Sequence, residues 1–184
     1  MAGGPAEISC KMEVYVSDNA FLAMVTAAIE VFQKETLGIL LGYRSDRSHV
    51  VQTAITYQTS DRSNALVARN DNAHRRIEAF LQNVVSHARI IGDFHSHPQY
   101  GKTRGGFQPS DEDVEEMREG SVYIILEINK KYRERRWGYN QDGTMSGTVG
   151  EYYLKVAAWF LDSKTGKARL GTVRCPFGVG FLWQ

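Results

Sequence analysis

The sequence predicts an α/β domain in which a central mixed or antiparallel sheet is flanked by two long helices and one short one. Three observations point there. Short stretches of strand character, such as residues 12–16 and 50–57, alternate with segments whose apolar residues recur every three or four positions. Turn signals separate them, as at Asp142-Gly143 and Thr165-Gly166. With 184 residues and 42% hydrophobic content the chain has material for one core, so a single domain over residues 1–184 is expected.

Taken in order, residues 12–16 alternate apolar and polar side chains as an extended strand does. Ser17 or Asp18 can then cap a helix whose apolar positions are Phe21, Val25, Ile29 and Phe32. Residues 36–43 (TLGILLGY), a polar turn at 45–48 and the β-branched stretch 50–57 predict a hairpin of the central sheet. Residues 58–69 are polar and aperiodic, which suits a surface loop, and Asn70 or Asp71 opens a second helix through Ile77, Phe80, Leu81, Val84 and Val85. A buried strand is expected at 90–94, a glycine-rich loop at 96–109, a short serine-capped helix at 110–118 and an apolar strand at 121–128. Further strands are predicted at 137–140, 152–161 and 168–173, and the apolar stretch 176–181 is expected to pack on the domain.

Composition excludes several classes. Lys plus Arg total 22 against 21 for Asp plus Glu, a net charge of +1, so nothing in the balance points to nucleic acid or to an anionic membrane. Cys10 and Cys175 form no C-x-x-C pair and read as ordinary reduced thiols. Residues 1–7 carry no basic region followed by an apolar stretch, and no segment nears the roughly 20 apolar residues needed to span a bilayer. A soluble, cytoplasmic protein is expected.

The segment that carries chemistry is Gly92-Asp93-Phe94-His95-Ser96-His97-Pro98, followed by Ser110-Asp111-Glu112-Asp113 where a helix begins. On an extended backbone residues i and i+2 share a face, so His95 and His97 can direct ring nitrogens to one metal ion, and Asp113 can supply a third donor if the loop folds back. Three protein donors leave a fourth position of tetrahedral zinc for water, the arrangement of catalytic sites. Each piece also has a plain structural reading. A His-x-His pair occurs on ordinary strand faces, and Ser110-x-x-Asp113 is equally a helix capping box.

The combination resembles the JAMM, or MPN+, metalloprotease family (the JAB domain): a glutamate before a Gly-x-x-x-Gly strand (Glu35-Thr-Leu-Gly-Ile-Leu-Leu-Gly), then His-Ser-His-Pro, a loop, and Ser-x-x-Asp. The resemblance spans residues 12–128 and implies a cytidine-deaminase-like fold. It also implies one zinc ion per chain on His95, His97 and Asp113, with Glu35 as general acid/base and Ser110 steadying the carbonyl oxyanion. Two imidazoles and a carboxylate would also accept iron, cobalt or nickel. Glu30 reads as a solvated helix residue, and Asp111, Glu112, Glu115 and Glu116 as charges favoured by the helix dipole. One departure stands out: the loop from Pro98 to Pro109 has twelve residues, more than is usual in the family. Being glycine-rich and basic, it either folds over an extended substrate tail or is a mobile surface excursion. Its Arg104-Gly105-Gly106 triplet is the kind that glycine-rich loops produce by chance.

The family resemblance implies cleavage after the Gly-Gly tail of ubiquitin or a ubiquitin-like β-grasp protein, with loops 58–69 and 98–109 as the candidate contact surface. It further implies a compact, prokaryotic-like form, monomeric or homodimeric, with residues 152–181 as a possible dimer surface. The alternative is a non-catalytic binding or scaffold module of the same fold, which would lack the histidines and the acid kept here. A different His-x-His metal hydrolase would need further ligands, and His49, His74 and His87 sit in no matching context; no role is assigned to them.

Overall fold

The computed structural model describes residues 11–58, 61, 62, 67, 68, 70–84 and 89–180. In chain order the elements are β1 (Glu13–Val16), α1 (Asp18–Glu30), β2 (Leu37–Arg44), β3 (Ser48–Thr56), β4 (Asp61–Arg62) and β5 (Val67–Ala68). They continue with α2 (Asp71–Val84), β6 (Arg89–Pro98), α3 (Asp111–Glu116), β7 (Val122–Lys130), β8 (Gly138–Tyr139) and β9 (Met145–Val149). The last four are β10 (Tyr152–Asp162), β11 (Lys167–Leu170), β12 (Thr172–Arg174) and α4 (Pro176–Gly180). A large mixed sheet runs in the order β12-β1-β3-β2-β6-β7-β10-β9-β8, with β11 on β10, and β4 and β5 form a separate two-stranded ribbon.

The sheet separates two apolar layers. On one face α1 is started by Ser17, whose Oγ accepts the Ala20 N–H, and it buries Phe21, Met24, Val25 and Ala28. These pack on Leu40, Phe94, Ile124, Leu126, Leu154 and Val156 in the main core. The short α4 closes that layer, Phe177 meeting Phe21 edge-on with ring centroids 6.3 Å apart, as expected of the apolar C-terminal stretch. The other face carries two smaller clusters. Ile39, Leu41 and Tyr57 pack under Leu81 of α2, while Tyr123, Ile125, Ala157 and Trp159 pack under Met117 at the end of α3. The predicted α/β class with a mixed sheet flanked by helices is what the chain adopts.

Several boundaries differ from the sequence reading. The strand expected at 90–94 continues to Pro98, because β6 pairs in parallel with β7 from Gly92↔Val122 through Pro98↔Ile128. The loop expected at 96–109 therefore starts later, and both motif histidines lie on the strand itself. Strand β9 is an addition to the sequence reading, five consecutive residues of Met-Ser-Gly-Thr-Val pairing with β10. The single strand expected at 168–173 divides at Gly171, β11 pairing with β10 and β12 with β1. A Cβ at Gly171 would come within 2.6 Å of the Phe160 ring and 2.9 Å of the Met12 carbonyl oxygen, so the crossing there requires glycine. The segment 137–140 is reduced to the two residues of β8. Of the 58–69 segment only Gln58 and the paired residues of β4 and β5 are described; the rest of that candidate contact loop, with Cys10 and His87, lies outside the described residues.

Candidate metal centre

Two strand registers place the motif side chains. Leu37 of β2 stands opposite His95 of β6. Thr36 and Ser96 then bond twice, the Ser96 N–H donating to the Thr36 carbonyl at 3.0 Å and the Thr36 N–H to Ser96 Oγ at 2.9 Å. Glu35 is the residue before Thr36, two positions ahead of the start of β2. Glu35 is half-buried there. On the other side of β6, His97 stands beside Glu127 of β7, which in turn pairs with Lys155 of β10. His97, Glu127 and Lys155 thus form one row across three strands.

Asp113 arrives from α3. Ser110 is that helix's N-cap, in extended conformation at φ −72° and ψ 172°, and its Oγ accepts the Asp113 N–H at 3.1 Å. Asp113 Oδ2 accepts the Ser110 N–H at 2.7 Å. The capping-box reading of Ser-x-x-Asp is therefore correct, and it does not compete with the metal reading. The same carboxylate lies with Oδ1 at 3.3 Å from His95 Nε2 and Oδ2 at 3.5 Å from His97 Nε2.

The two Nε2 atoms are 2.9 Å apart, so the three donors from His95, His97 and Asp113 crowd around one point. Donors held about 2.0–2.1 Å from a tetrahedral zinc ion stand roughly 3.3 Å from each other, close to these separations. The donor chemistry fits as well: His95 is 8% exposed, and two neutral imidazoles with one carboxylate are a borderline-soft set suited to zinc. Partial burial works to raise the pKa of Asp113. The hydrogen bonds from His95 and His97, the His95 charge and the Ser110 N–H outweigh it and hold the carboxyl well below the usual range. The donor is ionised wherever a metal could bind.

The 98–109 loop is fastened to its own sheet by hydrogen bonds. The Gln99 N–H donates to the Ile128 carbonyl at 2.8 Å, and Tyr100 and Thr103 bond to each other through both backbone groups at 2.9 Å. The buried Asn129 side chain accepts the Gly105 N–H at 2.9 Å and donates to the Gly105 carbonyl at 3.4 Å. Trp159 Nε1 donates to the Phe107 carbonyl at 2.9 Å, and Lys155 Nζ stands 3.5 Å from the Phe107 ring centroid. A Cβ on Gly105 would meet the His97 carbonyl oxygen at 2.1 Å, so glycine lets the loop lie directly against the strand that bears the histidines.

Sequence reading passed over Glu127 and Asn129. Their signal was two polar residues, spaced by two, breaking the otherwise apolar strand VYIILEINK. Burial raises the Glu127 pKa, only partly opposed by Lys155, Arg104 and the hydrogen bond from Asn129 Nδ2 at 2.7 Å. Two cavities are lined by residues of the same strands and α3. One of about 410 Å³ is lined by His74, Glu78, Asp93, Glu115 and Tyr123 among others. One of about 260 Å³ lies beyond Glu127. The remaining described histidines are structural: His49 is buried, with Nε2 3.0 Å from the Gly120 carbonyl oxygen, and His74 bonds the Tyr57 hydroxyl. Among the described residues no helix is long and apolar enough to cross a membrane.

Comparisons with known proteins agree with this geometry. A family model described as prokaryotic homologs of the JAB domain matches residues 17–139. COP9 signalosome complex subunit 5 of Emericella nidulans is 27% identical over 117 residues, which is 62% of this chain and 35% of that protein. The chain thus spans about a third of the length of that curated relative. A protein of Desulfitobacterium hafniense, solved in solution, superposes with a TM-score of 0.61 at 14% identity over 88% of this chain and 92% of that one; the likeness is one of fold.

Proposed function

Because the chain belongs to the family of prokaryotic homologues of the JAB domain, we propose that it is a zinc-dependent peptidase or isopeptidase that hydrolyses the amide bond after the Gly-Gly tail of a ubiquitin-like, β-grasp protein. The observation that carries the reading is the meeting of His95, His97 and Asp113, with Glu35 next to Thr36, whose backbone is bonded to Ser96 between the two histidines.

His95, His97 and Asp113 would hold the ion. Bound there, zinc would supply Lewis acidity, bringing the pKa of a water down to about 7 and polarising the scissile carbonyl. Glu35 takes the proton from the attacking water and returns it to the leaving amine as the C–N bond breaks, a transfer of the kind worth about 10² to 10⁴ in rate. Ser110 uses a lone pair of its hydroxyl in the helix cap, so its O–H proton remains to be donated to the carbonyl oxygen as negative charge develops; one such donor is worth about 2.7–4 kcal/mol. A tail ending in glycines suits a site set among strands, because it can lie extended with no side chain to accommodate.

The test is the zinc content of the wild type, His97→Ala and Glu35→Gln, each incubated with β-grasp substrates bearing a Gly-Gly tail. The reading expects about one zinc per chain in the wild type and in Glu35→Gln, none in His97→Ala, and chelator-sensitive cleavage by the wild type alone. A wild type that cannot be loaded with metal overturns it in favour of a binding module.

A further inference from the structure

Five of the chain's 22 Lys and Arg residues fall within seven consecutive positions. Residues 130–136 read Lys-Lys-Tyr-Arg-Glu-Arg-Arg and leave β7 as an exposed, irregular segment. They meet the 98–109 loop, so that Arg104, Arg133 and Arg135, with Tyr132, Tyr153 and Glu127, line a groove of about 260 Å³. The Arg104 guanidinium lies 5.9 Å from the Tyr153 ring centroid, and Tyr132 is 93% exposed. Among the described residues Lys131 is paired with Glu134, and Arg135 donates to Asn140 Oδ1 at 3.2 Å. Arg104, Arg133, Arg135 and Arg136 enter no ion pair there. Glu127, at the base, is bonded by Asn129 and feels the charges of both Lys155 and Arg104, one carboxylate set against several cationic side chains.

Position gives the groove its meaning. Glu127 is at once its base and the neighbour of His97 in the strand register. The groove therefore opens one strand away from the metal cluster on the same sheet face. Guanidinium groups with unfilled donors match carboxylates in a two-point geometry, and flanking tyrosines are typical of protein-binding surfaces.

We propose that this groove docks an acidic segment of the protein substrate, its Asp and Glu side chains pairing with Arg104, Arg133 and Arg135 while the tail enters the metal site. The assignment rests on the reading of that site as one that accepts a protein tail.

The experiment measures binding of fluorescein-labelled peptides to the full chain. One peptide is rich in Glu and ends in Gly-Gly with a free carboxylate, a second has Gln for every Glu, and a single-stranded RNA of similar length is the third probe. The expected result is at least about tenfold tighter binding of the acidic peptide than of the Gln peptide, a preference that shrinks with added salt. Arg133→Glu/Arg135→Glu should erase the preference, and Arg133→Lys/Arg135→Lys should retain most of it. Equal affinity for the two peptides, or tighter binding of RNA than of the acidic peptide, overturns the proposal. The outcome is separable from that of the hydrolase reading: preferential binding without cleavage of any Gly-Gly amide would sink the hydrolase alone, and cleavage without preference would sink the groove alone.

Discussion

Ser96 Oγ accepts the Thr36 N–H at 2.9 Å inside a fully buried environment, and the Ser96 N–H returns a bond to the Thr36 carbonyl. The residue between the two histidines is thereby tied to the residue that follows Glu35. Ser96→Ala would leave the buried Thr36 N–H without its acceptor, at a cost of about 1–3 kcal/mol. We predict that this variant keeps its zinc while kcat falls on the order of ten- to a hundredfold, since small displacements of a positioned group are that costly. Loss of metal in step with activity would show that Ser96 supports the imidazoles and not Glu35.

Metal loading should be visible as stability. An ion that binds only the folded chain adds about 2.7 kcal/mol at a hundred times its Kd. For a chain of this length that is a rise in Tm of roughly 5–10 °C, read by thermal unfolding with zinc and with chelator. Asp113→Asn keeps a carbonyl oxygen for the Ser110 N–H but loses the charge, so we predict a folded protein whose Tm no longer responds to zinc.

Gly105→Ala would force a methyl group to 2.1 Å from the His97 carbonyl oxygen. The backbone on either side must separate, with a destabilisation of about 1–3 kcal/mol as in other overpacked positions. The Asn129 amide bonds to Gly105 should weaken with it, and amide hydrogen exchange at Gly105 should quicken.

His49 sets a pH dependence unconnected with the metal. Its Nε2 bonds the Gly120 carbonyl and its buried Nδ1 has no partner, so a second ring proton would have nowhere to donate. Burial lowers its pKa, the Gly120 bond opposes this, and the Arg44 charge lowers it further. With the native pKa below the unfolded value of about 6.5, the folded chain binds fewer protons; stability is full above that pH and declines as pH falls below it. His49→Gln, measured by denaturant unfolding from pH 8 to 5, should show a flatter acid limb than the wild type.

The site was legible in the sequence because its parts are local signatures. His95 and His97 share a face by strand periodicity, Ser110 and Asp113 carry cap chemistry, and Glu35 stands just ahead of a glycine-marked strand. What could not be read depends on partners distant in the chain. The extension of β6 through Pro98 requires β7 beside it, and the division at Gly171 follows from two different strands competing for one segment. The fastening of the 98–109 loop depends on Asn129 and Trp159, and the acidity of Glu127 on burial that no sequence window reports.

The double use of Asp113 has a thermodynamic consequence. A carboxylate that accepts the Ser110 N–H at 2.7 Å has its rotamer chosen when α3 forms, so roughly 1 kcal/mol of side-chain entropy is lost at folding and not at ion capture. The third donor is preorganised. An arriving cation meets a carboxylate whose two oxygens already face the two imidazoles, and the six-residue helix behind it gains in return a persistence that so short a segment could not have in isolation.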